Sequence, residues 1–134
     1  MLFIVCNLFL SIDAIAQSEV DSTRIVRVLT FNIYHGETLN AKKKFDLDLL
    51  AKVINDVHPD VVALQEVDFK TNRARNYDLV TELGQCTKMS PIFGKAMSFD
   101  GGEYGEGVLS KYSFLSTKNH PLVAREGKEP RAAI

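Results

Sequence analysis

Two residues stand where chemistry can be done. Asn32 follows the run Ile25-Val26-Arg27-Val28-Leu29-Thr30-Phe31, and Glu66 follows Val61-Val62-Ala63-Leu64-Gln65. Both runs are β-branched and apolar, and both read as strands. An amide and a carboxylate are hard oxygen donors, suited to Mg²⁺ or Mn²⁺ rather than zinc. Magnesium usually takes one or two carboxylates and keeps water or substrate phosphate in its other positions. One Glu with an Asn neighbour fits that habit. Spacing alone also allows a plainer arrangement, with Asn32 capping a turn and Glu66 solvated.

The elements between them decide whether the two meet. From Phe45 the apolar period becomes helical: Phe45, Leu49, Leu50, Val53, Ile54 and Val57 fall on one face. His58-Pro59-Asp60 stops this helix. The nearly all-apolar 61–65 run is expected of a strand covered on both faces. Strand, helix, strand is a βαβ unit, with parallel strands and a right-handed crossover. Both carboxyl ends then lie on one sheet edge, where open α/β sheets bind ligands. Neighbouring strands are about 4.8 Å apart, so Asn32 and Glu66 should sit side by side.

Downstream, Asp68 to Asn76 reads as a polar loop, and Tyr77, Val80, Leu83 and Thr87 suggest a second, shorter helix. The pattern then turns antiparallel. Pro91 to Phe99 and Tyr104 to Tyr112 flank a tight turn at Asp100-Gly101-Gly102. Phe114 to Asn119 and Pro130 to Ile134 are expected as two more strands. No internal repeat or linker interrupts the chain.

The 134 residues suffice for one domain. A hydrophobic fraction of 46% and a charged fraction of 25% exclude a disordered or fibrous chain. Sixteen basic against 17 acidic residues, net −1, disfavour nucleic-acid binding driven by bulk charge. Two cysteines exclude a disulfide-built scaffold, and no Cys/His cluster suggests zinc. The apolar run Leu2 to Leu10, followed by Ala14-Ile15-Ala16, has the pattern of a secretory signal peptide over residues 1–16, although no Lys or Arg precedes it. It is too short to span a bilayer, so no membrane span is expected. A polar lead-in covers 17–24, and export to the periplasm or the exterior follows. Loss of Cys6 with the leader would leave Cys86 as a lone thiol, expected to pack as a small hydrophobe. Glu129 to Ile134 reads as the opening of an extended segment, so a longer protein is expected.

Thr30-Phe31-Asn32-Ile33 and Pro59-Asp60-Val61-Val62-Ala63-Leu64-Gln65-Glu66-Val67-Asp68 resemble the first two signatures of the endonuclease/exonuclease/phosphatase superfamily. These are metal-dependent phosphoesterases that include DNase I-like nucleases, sphingomyelinases and inositol polyphosphate phosphatases. Gly105-Glu106-Gly107-Val108-Leu109-Ser110-Lys111-Tyr112 is similar to the third block, with Glu106 where Asn is common and Ser113 where Pro is common. The resemblance covers residues 25–134. It implies an α/β fold, the N-terminal half of a two-sheet DNase I-like sandwich, with a mixed sheet and helices on its outer face. It implies a phosphoester hydrolase using Mg²⁺ or Mn²⁺, with Glu66 as metal-binding carboxylate and Asn32 as a ligand or its hydrogen-bond partner. The family completes its site with a strand His or Tyr, a Gly-Asp-x-Asn block and a terminal Asp-His pair, none of which occurs before Ile134. The chain alone is therefore expected to be inactive and to expose apolar surface. Nucleic acid, a phospholipid head group and an inositol phosphate all fit as substrates, and a monomer is expected. The alternative is a non-catalytic binding module on the same scaffold.

The remaining candidates are weaker. His35 lies in the loop after Asn32 and reads either as a substrate contact or as an ordinary loop residue. His58 and His120 each precede a Pro at a turn and read as structural. Lys42-Lys43-Lys44 reads as a solvated loop. Arg73 and Arg75 follow Glu66 in a loop and are candidates for substrate phosphate. Nothing in the sequence decides whether Arg131 faces the cleft. The glycines from 101 to 107 lack Gly-Lys-Ser/Thr and a following helix, so they are no phosphate-binding P-loop.

Overall fold

The computed structural model describes residues 25–38, 45–125 and 127–134. The expected leader, the lead-in and the three consecutive lysines lie outside these residues. Strand β1 (Val28–Asn32) leads through a 3₁₀ turn (Tyr34–Gly36) to helix α1 (Leu47–Val57) and strand β2 (Val61–Phe69). Helix α2 (Leu79–Thr87), strands β3 (Ser90–Phe99) and β4 (Gly102–Ser110), and two short strands, β5 (His120–Leu122) and β6 (Arg131–Ala133), follow. The main sheet has the order β1-β2-β4-β3, while β5 and β6 pair separately. β1 and β2 are parallel, with Val28 opposite Val61 and Asn32 opposite Gln65. The other pairs of the main sheet are antiparallel. This is the mixed α/β sheet that the resemblance implies.

Local chemistry sets the boundaries. Asp46 caps α1 by accepting a hydrogen bond from the Leu49 amide at 3.1 Å, worth about 1 kcal/mol. His58 ends that helix in a left-handed conformation, φ 52°. Asp78 caps α2 in the same way through the Thr81 amide. Between β3 and β4, Asp100 and Gly101 both adopt positive φ, as a type I′ hairpin turn requires.

The core lies on one face of the sheet. Val62, Leu64, Val67 and Leu109 are buried there beneath Leu50, Ile54, Val80 and Leu83 of the helices. Gly107 lets α2 close in: a Cβ there would sit 2.7 Å from Val80 Cγ2. The helix turns a different face inward than its apolar spacing suggests. Leu50, Ala51 and Ile54 are buried, whereas Leu49, Val53 and Val57 are exposed. The segment carries two apolar stripes, and only one can meet the sheet. Phe45 lies outside the helix, with its ring stacked on Tyr77.

Several other expectations are corrected. β2 is covered fully on one face only, because its alternate residues Val61, Ala63 and Gln65 are half-buried. Asp68 and Phe69 belong to β2 rather than to a polar loop, and Asp68 is completely buried. Residues 114–119 form no strand. Phe114 and Leu115 are exposed there, so no packed surface holds them in a ladder. Cys86 is exposed on α2 rather than packed. Among the described residues, no helix is long and apolar enough to cross a membrane.

Candidate active site

The chain bends sharply after β1 and again within β2, and the bends build a cleft. β2 runs on to Phe69, so Glu66 lies at a bulge inside the strand rather than at its end. The register of β2 against β4 shifts between Leu64 and Val67, which face Gly107 and Gly105. Gln65 and Glu66 therefore oppose the single residue Glu106, which makes a β-bulge. Glu66 takes φ 57°, a conformation uncommon for a non-glycine residue. Tyr34 (φ 46°) and His35 (φ 44°), just after β1, share that unusual region. Gly36 follows with φ 90°, over the ring of Phe45. Strained backbone thus clusters at the end of β1 and at the bulge of β2.

The bends bring the two predicted residues together. Asn32 Nδ2 donates to Glu66 Oε1 at 2.9 Å. Asn32 Oδ1 accepts from the Tyr34 amide at 2.9 Å, an Asx turn that fixes the side-chain amide. The second carboxylate oxygen, Glu66 Oε2, lies 3.9 Å from His35 Nδ1, too far for a hydrogen bond. The Glu66 side chain is one-third exposed, so it keeps lone pairs turned toward the cleft. His35 Nδ1 is buried and has no hydrogen-bond partner among the described residues. Burial chiefly, with the Arg73 charge, lowers the His35 pKa and favours neutral imidazole.

The cleft holds roughly 240 Å³. Glu66 and His35 line it together with Arg73, Phe99, Tyr104 and Arg131. Of the residues singled out from the sequence, Glu66, His35, Arg73 and Arg131 line this cleft. Arg75 points elsewhere, over the Phe45 ring at 5.1 Å. His58 caps its helix and its carbonyl accepts from Lys111 Nζ, and His120 opens β5; neither lines the cleft. Tyr104 and Glu106 were not singled out for the site. Strand alternation puts them on one face, but only the bulge brings that face to Glu66.

Glu106 faces the bulge, and its Oε2 is buried with no hydrogen-bond partner among the described residues. Burial pushes its pKa up, Arg131 opposes that, and Glu66 adds to it. Tyr104 is raised as well, mainly by burial and then by Glu66. A carboxyl whose folded pKa exceeds its unfolded value stabilises the fold below the unfolded value. That stability is lost as pH rises through the folded value. Unfolding measured in chelator should therefore show a fall in stability above about pH 4.5 that Glu106→Gln lacks. Identical pH profiles for the two proteins would contradict this environment for Glu106.

The sequence model of the Endonuclease/Exonuclease/phosphatase family matches residues 29–134. The chain belongs to this family. Among solved structures, the endonuclease/exonuclease/phosphatase from Beutenbergia cavernae DSM 12333 superposes with a TM-score of 0.63 at 24% identity, covering 80% of this chain and 32% of that one. The family protein from Leptotrichia buccalis C-1013-b gives 0.62 at 18% identity, covering 81% and 47%. The Bacteroides vulgatus endonuclease/exonuclease/phosphatase gives 0.51 at 22% identity, covering 72% and 36%. At these identities the likeness establishes the fold. The chain spans about a third to a half of the length of these family structures. No curated protein matches it.

The family is hydrolytic in general and typically depends on divalent metal. No group of three or more His, Cys, Asp or Glu side chains able to hold a metal occurs among the described residues. Glu66 nevertheless fits a hard cation. One of its oxygens is fixed by Asn32, the other has no hydrogen bond among the described residues, and both belong to a cleft-lining side chain.

Proposed function

We propose that this chain supplies the first part of a Mg²⁺- or Mn²⁺-dependent phosphoester hydrolase, with Glu66 as the metal-binding carboxylate. The observation that carries the reading is the 2.9 Å contact between Asn32, at the end of β1, and Glu66, at the bulge of the adjacent parallel strand β2. It joins the two signature residues, of which Glu66 lines a cleft that also holds arginine. The exposed sheet face, with Val28 68% accessible, supports packing against further structure in the complete domain. So does the partial coverage of the family structures. The leader-like residues 1–16 support export.

Each residue has a defined task in this reading. The Tyr34 amide fixes the Asn32 carboxamide, and Asn32 Nδ2 fixes Glu66 Oε1. Glu66 Oε2 then stays directed for a cation, with Asn32 beside it as an orienting group. A bound divalent ion supplies Lewis-acid polarisation of a phosphoryl oxygen and offsets charge on the departing oxygen. Burial keeps His35 neutral, so it adds no fixed charge against a cation.

The complete gene product should hydrolyse members of a panel of generic phosphodiesters and phosphomonoesters in the presence of Mg²⁺ or Mn²⁺. Chelation should abolish this, and readdition of metal should restore it. A panel that includes a nucleic acid, a phospholipid and an inositol phosphate also names the substrate class. Turnover that persists unchanged in chelator would overturn the metal dependence.

A further inference from the structure

Arg73 and Asp68 form a second polar unit in the cleft, separate from the Asn32–Glu66 contact. Asp68 is wholly buried. Its carboxylate accepts from Arg73 Nε at 2.7 Å and from Arg73 Nη2 at 2.8 Å, a bidentate fork. One face of the guanidinium lies 4.4 Å from the Phe99 ring centroid and 5.5 Å from that of Tyr104. One edge and one face are thus occupied. A guanidinium carries five N–H donors, and the fork uses two of them. The other three belong to a side chain 32% exposed, lining the same cleft as Glu66.

A purely structural ion pair would explain less. The turn that carries Arg73 is closed without its side chain. Thr71 Oγ1 donates to Asp68, and the Ala74 amide donates to Thr71 Oγ1. Asp100 accepts from the Arg73 amide at 2.7 Å, and the Asn76 amide donates to the Thr71 carbonyl. What the buried carboxylate and the aromatic rings add is direction: they hold a cation with its open edge toward the cleft. Arg131, the other arginine there, is more exposed and is paired with Glu129 at 2.9 Å.

We propose that Arg73 binds a phosphoryl oxygen of the substrate, with Asp68 as the positioning residue that presents its free edge. A planar fork suits phosphate better than the point charge of a lysine does. This rests on the phosphoesterase reading of the same cleft, and it makes Arg73 a contact to the ester rather than to the metal.

The test uses inorganic phosphate as the probe, titrated into the complete gene product in chelator. Binding is read by calorimetry and by the Arg73 Nε–Hε resonance. Phosphate should saturate and shift that resonance in the unchanged protein. Arg73→Lys keeps a cation beside Asp68. It should weaken phosphate binding about tenfold or more and raise KM for a generic phosphodiester. Mn²⁺ affinity at Glu66 should stay within about twofold. Arg73→Gln should weaken phosphate further. Unchanged phosphate affinity in both variants, absent saturable binding, or binding that leaves the Arg73 resonance unmoved would each overturn the proposal. The resonance of the unchanged protein decides the matter even if a variant fails to fold. If Glu66→Ala stops hydrolysis while Arg73→Lys leaves phosphate affinity and KM alone, this inference fails and the enzymatic reading stands. If phosphate moves Arg73 but no phosphoester is hydrolysed, the enzymatic reading fails and the anion site stands.

Discussion

Glu66→Ala in the complete gene product should lower metal-dependent phosphoester turnover by two or more orders of magnitude. That corresponds to about 3 kcal/mol or more of lost transition-state stabilisation. The expectation follows from the donor set. Among the described residues, Glu66 is the carboxylate that Asn32 holds at the β2 bulge. Water can replace a lost ligand but cannot replace its charge. Glu66→Gln keeps the side-chain shape and the hydrogen-bonding capacity toward Asn32, so it separates charge from geometry. It should lose activity nearly as far as alanine does. Stability should change little, within about 1 kcal/mol, because the side chain is part-exposed and the left-handed backbone is equally strained under alanine. Near-normal rates across a magnesium titration, in either variant, would remove Glu66 from the metal site.

The parts of this molecule that were readable in the sequence are those fixed by local pattern. The β1–α1–β2 unit follows from two β-branched runs around a helical period, and handedness and parallel pairing then place Asn32 beside Glu66. The Asp100-Gly101 turn is equally local, since few residue pairs accept two positive φ angles. The parts that were not readable depend on competition between surfaces. Leu49 and Leu50 are both apolar and adjacent, and only tertiary packing decides that Leu50 faces the core. Asp68 looks like the start of a polar loop because its burial depends on Arg73, five residues ahead, folding back onto it. The bulge at Gln65–Glu66 leaves no local mark, yet it brings Glu106 opposite the metal-binding candidate. Phe114 and Leu115 have strand-like composition but no packed surface. Arg73 and Arg75 are indistinguishable by spacing. Their separation comes from the turn, which sends one into the cleft and the other over Phe45.

Asp68→Ala should be the most destabilising single change near the site, by about 2–4 kcal/mol. The carboxylate is fully buried and accepts hydrogen bonds from Arg73 Nε, Arg73 Nη2 and Thr71 Oγ1. Removing it strands the Thr71 hydroxyl, which is itself buried, and leaves the guanidinium without its partner. Breaking a wholly buried pair costs roughly 3–5 kcal/mol. Arg73 is one-third exposed, so water recovers part of its solvation and draws the expected loss toward the lower end. Asp68→Asn fills the same volume and can still accept from Thr71, so it should cost less than alanine does. The exposed Lys52–Asp56 pair on α1 is the internal control. Both its side chains are well solvated, and Asp56→Ala should change stability by less than about 0.5 kcal/mol. Urea unfolding of the complete gene product reads all three variants on one scale. An Asp68→Ala loss no larger than that of Asp56→Ala would mean that the buried carboxylate contributes nothing the turn needs, and that its hold on Arg73 is not what shapes the cleft.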